Sequence, residues 1–100
     1  MRVLVVAKPR FQLPPERIPQ MVEEALEWRD RHGSELEEFG SFPGGGGFGI
    51  CEVPDTESLN RLILEMPFSP FSEHEIYPIV PGDTGLQQLR DRVADLAASR

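Results

Sequence analysis

Apolar and polar positions divide the chain into seven predicted elements. Arg2 to Lys8, RVLVVAK, is a β-branched run stopped by Pro9, which predicts a strand buried on both faces. Pro9, Pro14 and Pro15 then break the chain. A helix is predicted over Glu16 to His32, with Pro15 near its first turn and Gly33 just past its end. Placed about 100° apart, its residues Ile18, Met21, Val22, Ala25 and Leu26 share one face, with Trp28 at the edge. Arg29 falls near the middle of that stripe, either snorkelling past the core or facing an enclosed pocket.

Ser34 to Phe42 and Phe48 to Val53 read as two further strands, and Pro54 ends the second. Asp55 has the position of an N-cap for a helix over Thr56 to Met66, whose apolar face is Leu59, Leu62, Ile63 and Met66. Pro67 and Pro70 stop that helix, and Phe71 to Val80 reads as a fourth strand. After the turn at Pro81-Gly82-Asp83, Thr84 and Gln87 have capping-box spacing for a last helix over residues 84–98. Its apolar positions are Leu86, Leu89, Val93 and Leu96. The order β-α-β-β-α-β-α predicts an α+β fold of the ferredoxin-like kind: an antiparallel sheet with two helices on one face, plus a C-terminal helix. One domain spans residues 1–100, with its core in 1–80. The uncovered sheet face predicts a homodimer or higher homo-oligomer.

Between the middle strands lies Phe42-Pro43-Gly44-Gly45-Gly46-Gly47-Phe48-Gly49. A phosphate cradle needs a helix directly after its glycines, whereas a strand follows here and no Lys-Ser/Thr pair is present. The run is therefore predicted to be a hairpin turn, where glycine supplies positive φ.

A formal charge of −7 argues against nucleic-acid partners. The single cysteine, Cys51, permits no internal disulfide and no thiolate cage, and it reads as an inert buried thiol. The first apolar run is too short for a membrane span, so a cytoplasmic protein is expected.

Five residues stand out as candidate chemistry. His74, in the fourth strand, shares a face with Ile76, while Glu73 and Glu75 take the other. It is a candidate proton shuttle or a hydrogen-bonded structural histidine, and with only His32 besides it no metal site is expected. Glu24 lies one turn before Trp28, where burial against the indole would suit it to carry a proton; the alternative is a solvated glutamate. Arg29 or Tyr77 would steady an enolate-like oxygen, with Trp28 beside the substrate.

Glu52-Val53-Pro54, the Leu59 to Leu64 helix, and the stop Met66-Pro67-Phe68-Ser69-Pro70-Phe71 together resemble the muconolactone isomerase family. Carried back through the glycines, the resemblance also takes in Gly33, with Glu24 falling on a glutamate, and covers roughly residues 1 to 80. It implies a dimeric α+β barrel with a pocket near the interface and cofactor-independent proton transfer on a small-molecule substrate. A cofactor-free oxygenase or cyclase and a non-catalytic ligand-binding dimer are the alternatives. The second strand departs from the family: where cations and aromatics are expected, it has Glu35, Glu37, Glu38, Gly40 and Ser41.

Overall fold

The computed structural model describes residues 1–99. Its strands are β1 (Arg2–Pro9), β2 (Leu36–Ser41), β3 (Gly47–Glu52) and β4 (Ser72–Pro78), and its helices are α1 (Ile18–Arg31), α2 (Thr56–Glu65) and α3 (Gly82–Ala98). The strands form one sheet in the order β2-β3-β1-β4, antiparallel throughout. With α1 and α2 on one face, this is the ferredoxin-like plan predicted from the order of elements.

Local chemistry explains the boundaries. The first helix begins as a 3-10 turn at Pro15–Arg17 and becomes α-helical only at Ile18. A start at Glu16 would bring Pro19 deeper into the helix, where its ring has no N–H to give and crowds the preceding turn. Asp55 caps α2 by accepting a 2.8 Å hydrogen bond from the Ser58 amide. That bond holds the Asp55 carboxyl below its ordinary value.

The glycine run forms the predicted hairpin. The Gly45 amide donates to the Phe42 carbonyl at 3.1 Å across Pro43-Gly44, and Gly44 has φ +86°, the arrangement of a type II turn. Gly46, at φ +82°, lies so close to β1 that a Cβ there would stand 2.5 Å from the Ala7 carbonyl oxygen. On the far side of the hairpin the Phe48 ring lies across Gly40, its cross-strand partner.

A bulge between Leu36 and Glu38 shifts the β2–β3 register. It lets Leu36 and Phe39, three residues apart, both turn towards the helices. Glu37 meanwhile reaches Arg2 on the opposite face at 2.8 Å.

Val3, Trp28, Cys51, Val53, Leu59 and Leu62 form the buried core. On α1 the buried stripe is Met21, Ala25 and Trp28, so Trp28 belongs to it while Ile18, Val22 and Leu26 do not. The indole N–H donates to the Leu62 carbonyl at 3.0 Å. That carbonyl is among the last four of α2, which have no partner within the helix, so Trp28 both fills the core and satisfies the helix end.

α3 buries none of its side chains. The molecule measures 64 × 26 × 22 Å, with a radius of gyration of 17.7 Å against about 13 Å for a compact chain of this length. No described helix is long and apolar enough to cross a membrane.

Candidate functional site

Register decides where side chains fill the space beneath the helices. Read across the helix-facing side of β3, β1 and β4, one row is Cys51, Val3, Pro78; the next is Gly49, Val5, Ile76; the third is Gly47, Ala7, His74. Side chains shrink along β3 and β1 towards the third row. The space they vacate is a cavity of about 800 Å³ between the sheet, α1 and α2. Its mouth is framed by the loop after β1 and the 3-10 turn at Ser69–Phe71. The two are tied together where the Arg10 and Phe11 amides donate to the Phe71 carbonyl, at 2.9 and 3.2 Å.

The lining is predominantly apolar. Leu36, Phe39, Phe68, Ile63 and Met66 contribute from the walls, and Ile18, Val22 and Leu26 form a row along α1 at the rim. Trp28 closes one wall, edge-on to Phe39 with ring centroids 5.8 Å apart. Polar side chains are few: Gln12, Ser41, Ser69, Ser72 and His74. Ser72 already donates to the Phe68 carbonyl at 2.9 Å. The Cys51 thiol also borders the cavity, and burial, reinforced by Glu35 and Glu37, pushes its pKa up to about 11. It stays a neutral thiol at neutral pH and is no nucleophile there. His74 is the one imidazole among the described lining side chains.

The residues singled out from the sequence separate in space. His74 and Trp28 both line the cavity. Glu24 lies on the exposed flank of α1, accepting a 3.2 Å hydrogen bond from Gln20. Arg29 is also exposed and pairs with Asp30 at 3.0 Å; the buried stripe runs along Met21, and position 29 lies about 80° round the helix from it.

Tyr77 is on the other face of the sheet, paired with Leu4. There its hydroxyl donates to Glu75, which also meets Lys8 at 2.9 Å. The Tyr77 hydroxyl and then Lys8 hold the Glu75 carboxyl below its ordinary value; Glu75 in turn raises the pKa of both Lys8 and Tyr77. In the single chain, then, Glu24, Arg29 and Tyr77 do not reach the cavity.

The other histidine, His32, is fully engaged. Its two ring nitrogens lie 3.0 Å from Glu35 and 2.8 Å from Glu65, joining the end of α1 to the turn before β2 and to α2. Sequence reasoning missed the small-residue floor: Ala7, Gly47 and Gly49 become one surface only when the strands are set in register.

Solved structures superpose on this one, among them two enzymes. A crystal structure of muconolactone isomerase at 3.3 Å resolution gives a TM-score of 0.70 over 81% of this chain and 90% of that one, at 16% identity. The chain has the fold of muconolactone isomerase. The second is 5-chloro-2-hydroxyhydroquinone dehydrochlorinase (TftG) from Burkholderia phenoliruptrix AC1100, in complex with 2,5-dihydroxybenzoquinone. It gives a TM-score of 0.66 over 84% of this chain and 98% of that one, at 15% identity. No family model matches the sequence, and no curated protein does. The muconolactone isomerase resemblance read from Glu52 to Phe71 is thus met in the architecture.

Proposed function

We propose that the protein is a cofactor-independent isomerase or cyclase that moves a proton on a small organic molecule held in the cavity. The observation that carries this reading is the placement of His74 in the wall of a half-open, predominantly apolar cavity with no carboxylate, lysine or arginine on its walls. There an imidazole can take a proton from a carbon next to a carbonyl and return it elsewhere on the same molecule. Hydrogen-bonding groups at Ser69, Ser72 or Gln12 are the available donors for the developing oxyanion. Two neighbours in shape that are named as an isomerase and a dehydrochlorinase support the class of chemistry.

The test is exchange in D₂O. With 2-tetralone as probe, the wild-type protein is expected to accelerate deuteration next to the carbonyl above the buffer rate, and His74→Ala to remove the acceleration. No acceleration by the wild type, or full retention in His74→Ala, contradicts the reading.

A ligand-binding protein without turnover is the second reading. The exposed positions of Glu24 and Arg29 favour it, because they leave His74 without an ionised partner in the cavity. Saturable binding of 2-tetralone without exchange would decide for it.

We also propose that the working form is a homo-oligomer. Leu4, Val6, Phe48 and Ile50 lie half-buried on the sheet face that no helix covers. Leu86, Leu89, Val93 and Leu96 follow the 3-4-3 spacing of a helix-pairing seam, and all four are exposed. A second copy has both complements. Light scattering is expected to give at least twice the chain mass, with a smaller assembly after truncation before Gly82; a monomeric full-length chain would overturn the proposal.

A further inference from the structure

The walls of the cavity specify more than its volume. None of the lining side chains is Lys, Arg, Asp or Glu, and the two ionisable groups present are His74 and the neutral Cys51 thiol. A charged ligand entering here would shed its water and meet no counter-ion, a cost that excludes it unless it pairs or neutralises. The formal charge of −7 adds repulsion for anions in particular. Cations find no carboxylate on the walls either, since Glu73 and Glu75 project from the opposite face of β4.

Shape points the same way. Ala7 and Gly47 give the floor nothing larger than a methyl group, Leu36 lies over Gly49, and Trp28, Phe39 and Phe68 stand around it. A floor of small residues beneath aromatic walls suits a planar ring system. About 800 Å³ lies towards the upper end of the roughly 300–1,000 Å³ range that takes drug-sized ligands, which is more than one ring requires. His74, at the β4 edge of the row Gly47, Ala7, His74, sits where the rim of such a ring system would come.

We propose that the cavity takes an uncharged, planar molecule of two or three fused rings, bearing a hydroxyl or carbonyl at the edge that meets His74. This rests on the cavity being the functional site, as in the proposed function, but not on any turnover.

Calorimetric titration at neutral pH tests it with matched probes: 2-naphthol, 2-naphthoate, 2-naphthylmethylammonium, phenol and naphthalene. The neutral bicyclic 2-naphthol is expected to bind at least about tenfold more tightly than the anion, the cation or the single ring, because only it fills the space without stranding a charge. His74→Ala is expected to reduce the preference for 2-naphthol over naphthalene while leaving naphthalene affinity unchanged.

Equal or tighter binding of 2-naphthoate or the ammonium probe, phenol matching 2-naphthol, or no binding of 2-naphthol would each overturn the proposal. So would an unaltered preference in His74→Ala. Tight 2-naphthol binding without 2-tetralone exchange would sink the proton-transfer reading and leave this one standing. Exchange accompanied by a preference for the anion would do the reverse.

Discussion

The row Cys51, Val3, Pro78 and the row Gly47, Ala7, His74 lie four residues apart on one sheet face, yet only the first is roofed by packed core. At the first, Leu59, Leu62, Val53 and Trp28 close over the strands. At the second, the same helices stand off and leave a hollow. The sheet is continuous between them, so smaller side chains and the stand-off of the helices together make the difference. Stability is concentrated at the filled end, while the hollow end is free to take something else.

Core truncation should break that comparison most visibly. Leu62 is 2% exposed and belongs to the core cluster, so Leu62→Ala is expected to cost about 3 kcal/mol through lost burial and a residual void. Val22, on the cavity rim, is 41% exposed, and Val22→Ala should cost less than about 1 kcal/mol. Chemical denaturation of the two variants measures both. Equal costs would mean that the hollow end bears as much of the fold as the filled end.

Two glycines sharpen it further. A Cβ on Gly49 would meet Leu36 at 3.4 Å and Cys51 at 3.8 Å, ordinary contacts on the cavity floor. Gly49→Ala is therefore expected to leave stability within about 0.5 kcal/mol, or to raise it slightly by restricting the unfolded chain. Gly46→Ala meets a positive φ and the Ala7 carbonyl oxygen at 2.5 Å, and should lose more than about 1 kcal/mol. Thermal melts that rank the pair the other way would contradict the placement of the floor.

The smallest effects lie on the exposed surface, far from either row. The folded pKa values of Asp55 and Glu75 are depressed, so their contribution is complete above the ordinary carboxylate values and is lost as pH falls through the folded ones. Lys8 and Tyr77 have raised values, so theirs is present at lower pH and is lost as pH rises through them. In the filled row, burial raises the pKa of the Cys51 thiol to about 11, so its contribution too is lost as pH climbs from the ordinary thiol range towards that value. The melting temperature is expected to be level between about pH 5 and 8 and to fall on both sides. Asp55→Ala should lower the plateau and flatten the acid limb; an unchanged acid limb would show that the cap carries none of it.

Much of the filled end was legible in the sequence. Leu59 and Leu62 keep helical spacing, Asp55 announces the start of α2, and Pro43-Gly44 announces the hairpin. Strand alternation also placed His74 opposite Glu73 and Glu75. The hollow end was not legible, because a cavity is made by what neighbouring strands omit, and Gly47 and Ala7 become neighbours only through pairing. The β2 bulge hid in the same way, since Leu36 and Phe39, three residues apart, lack the even spacing that puts strand residues on one face. On α1, periodicity could not weigh an indole that finds a hydrogen-bond acceptor on α2, and so it left Arg29 too central.

The central claim is that the hollow end, with His74 in its wall, is the ligand site. The chain has two histidines, so ¹⁵N-histidine NMR during a 2-naphthol titration observes both ends at once. His74 ring signals are expected to shift with saturation while those of His32, held between Glu35 and Glu65, stay in place. Saturation that moves His32 and leaves His74 unmoved would contradict the account.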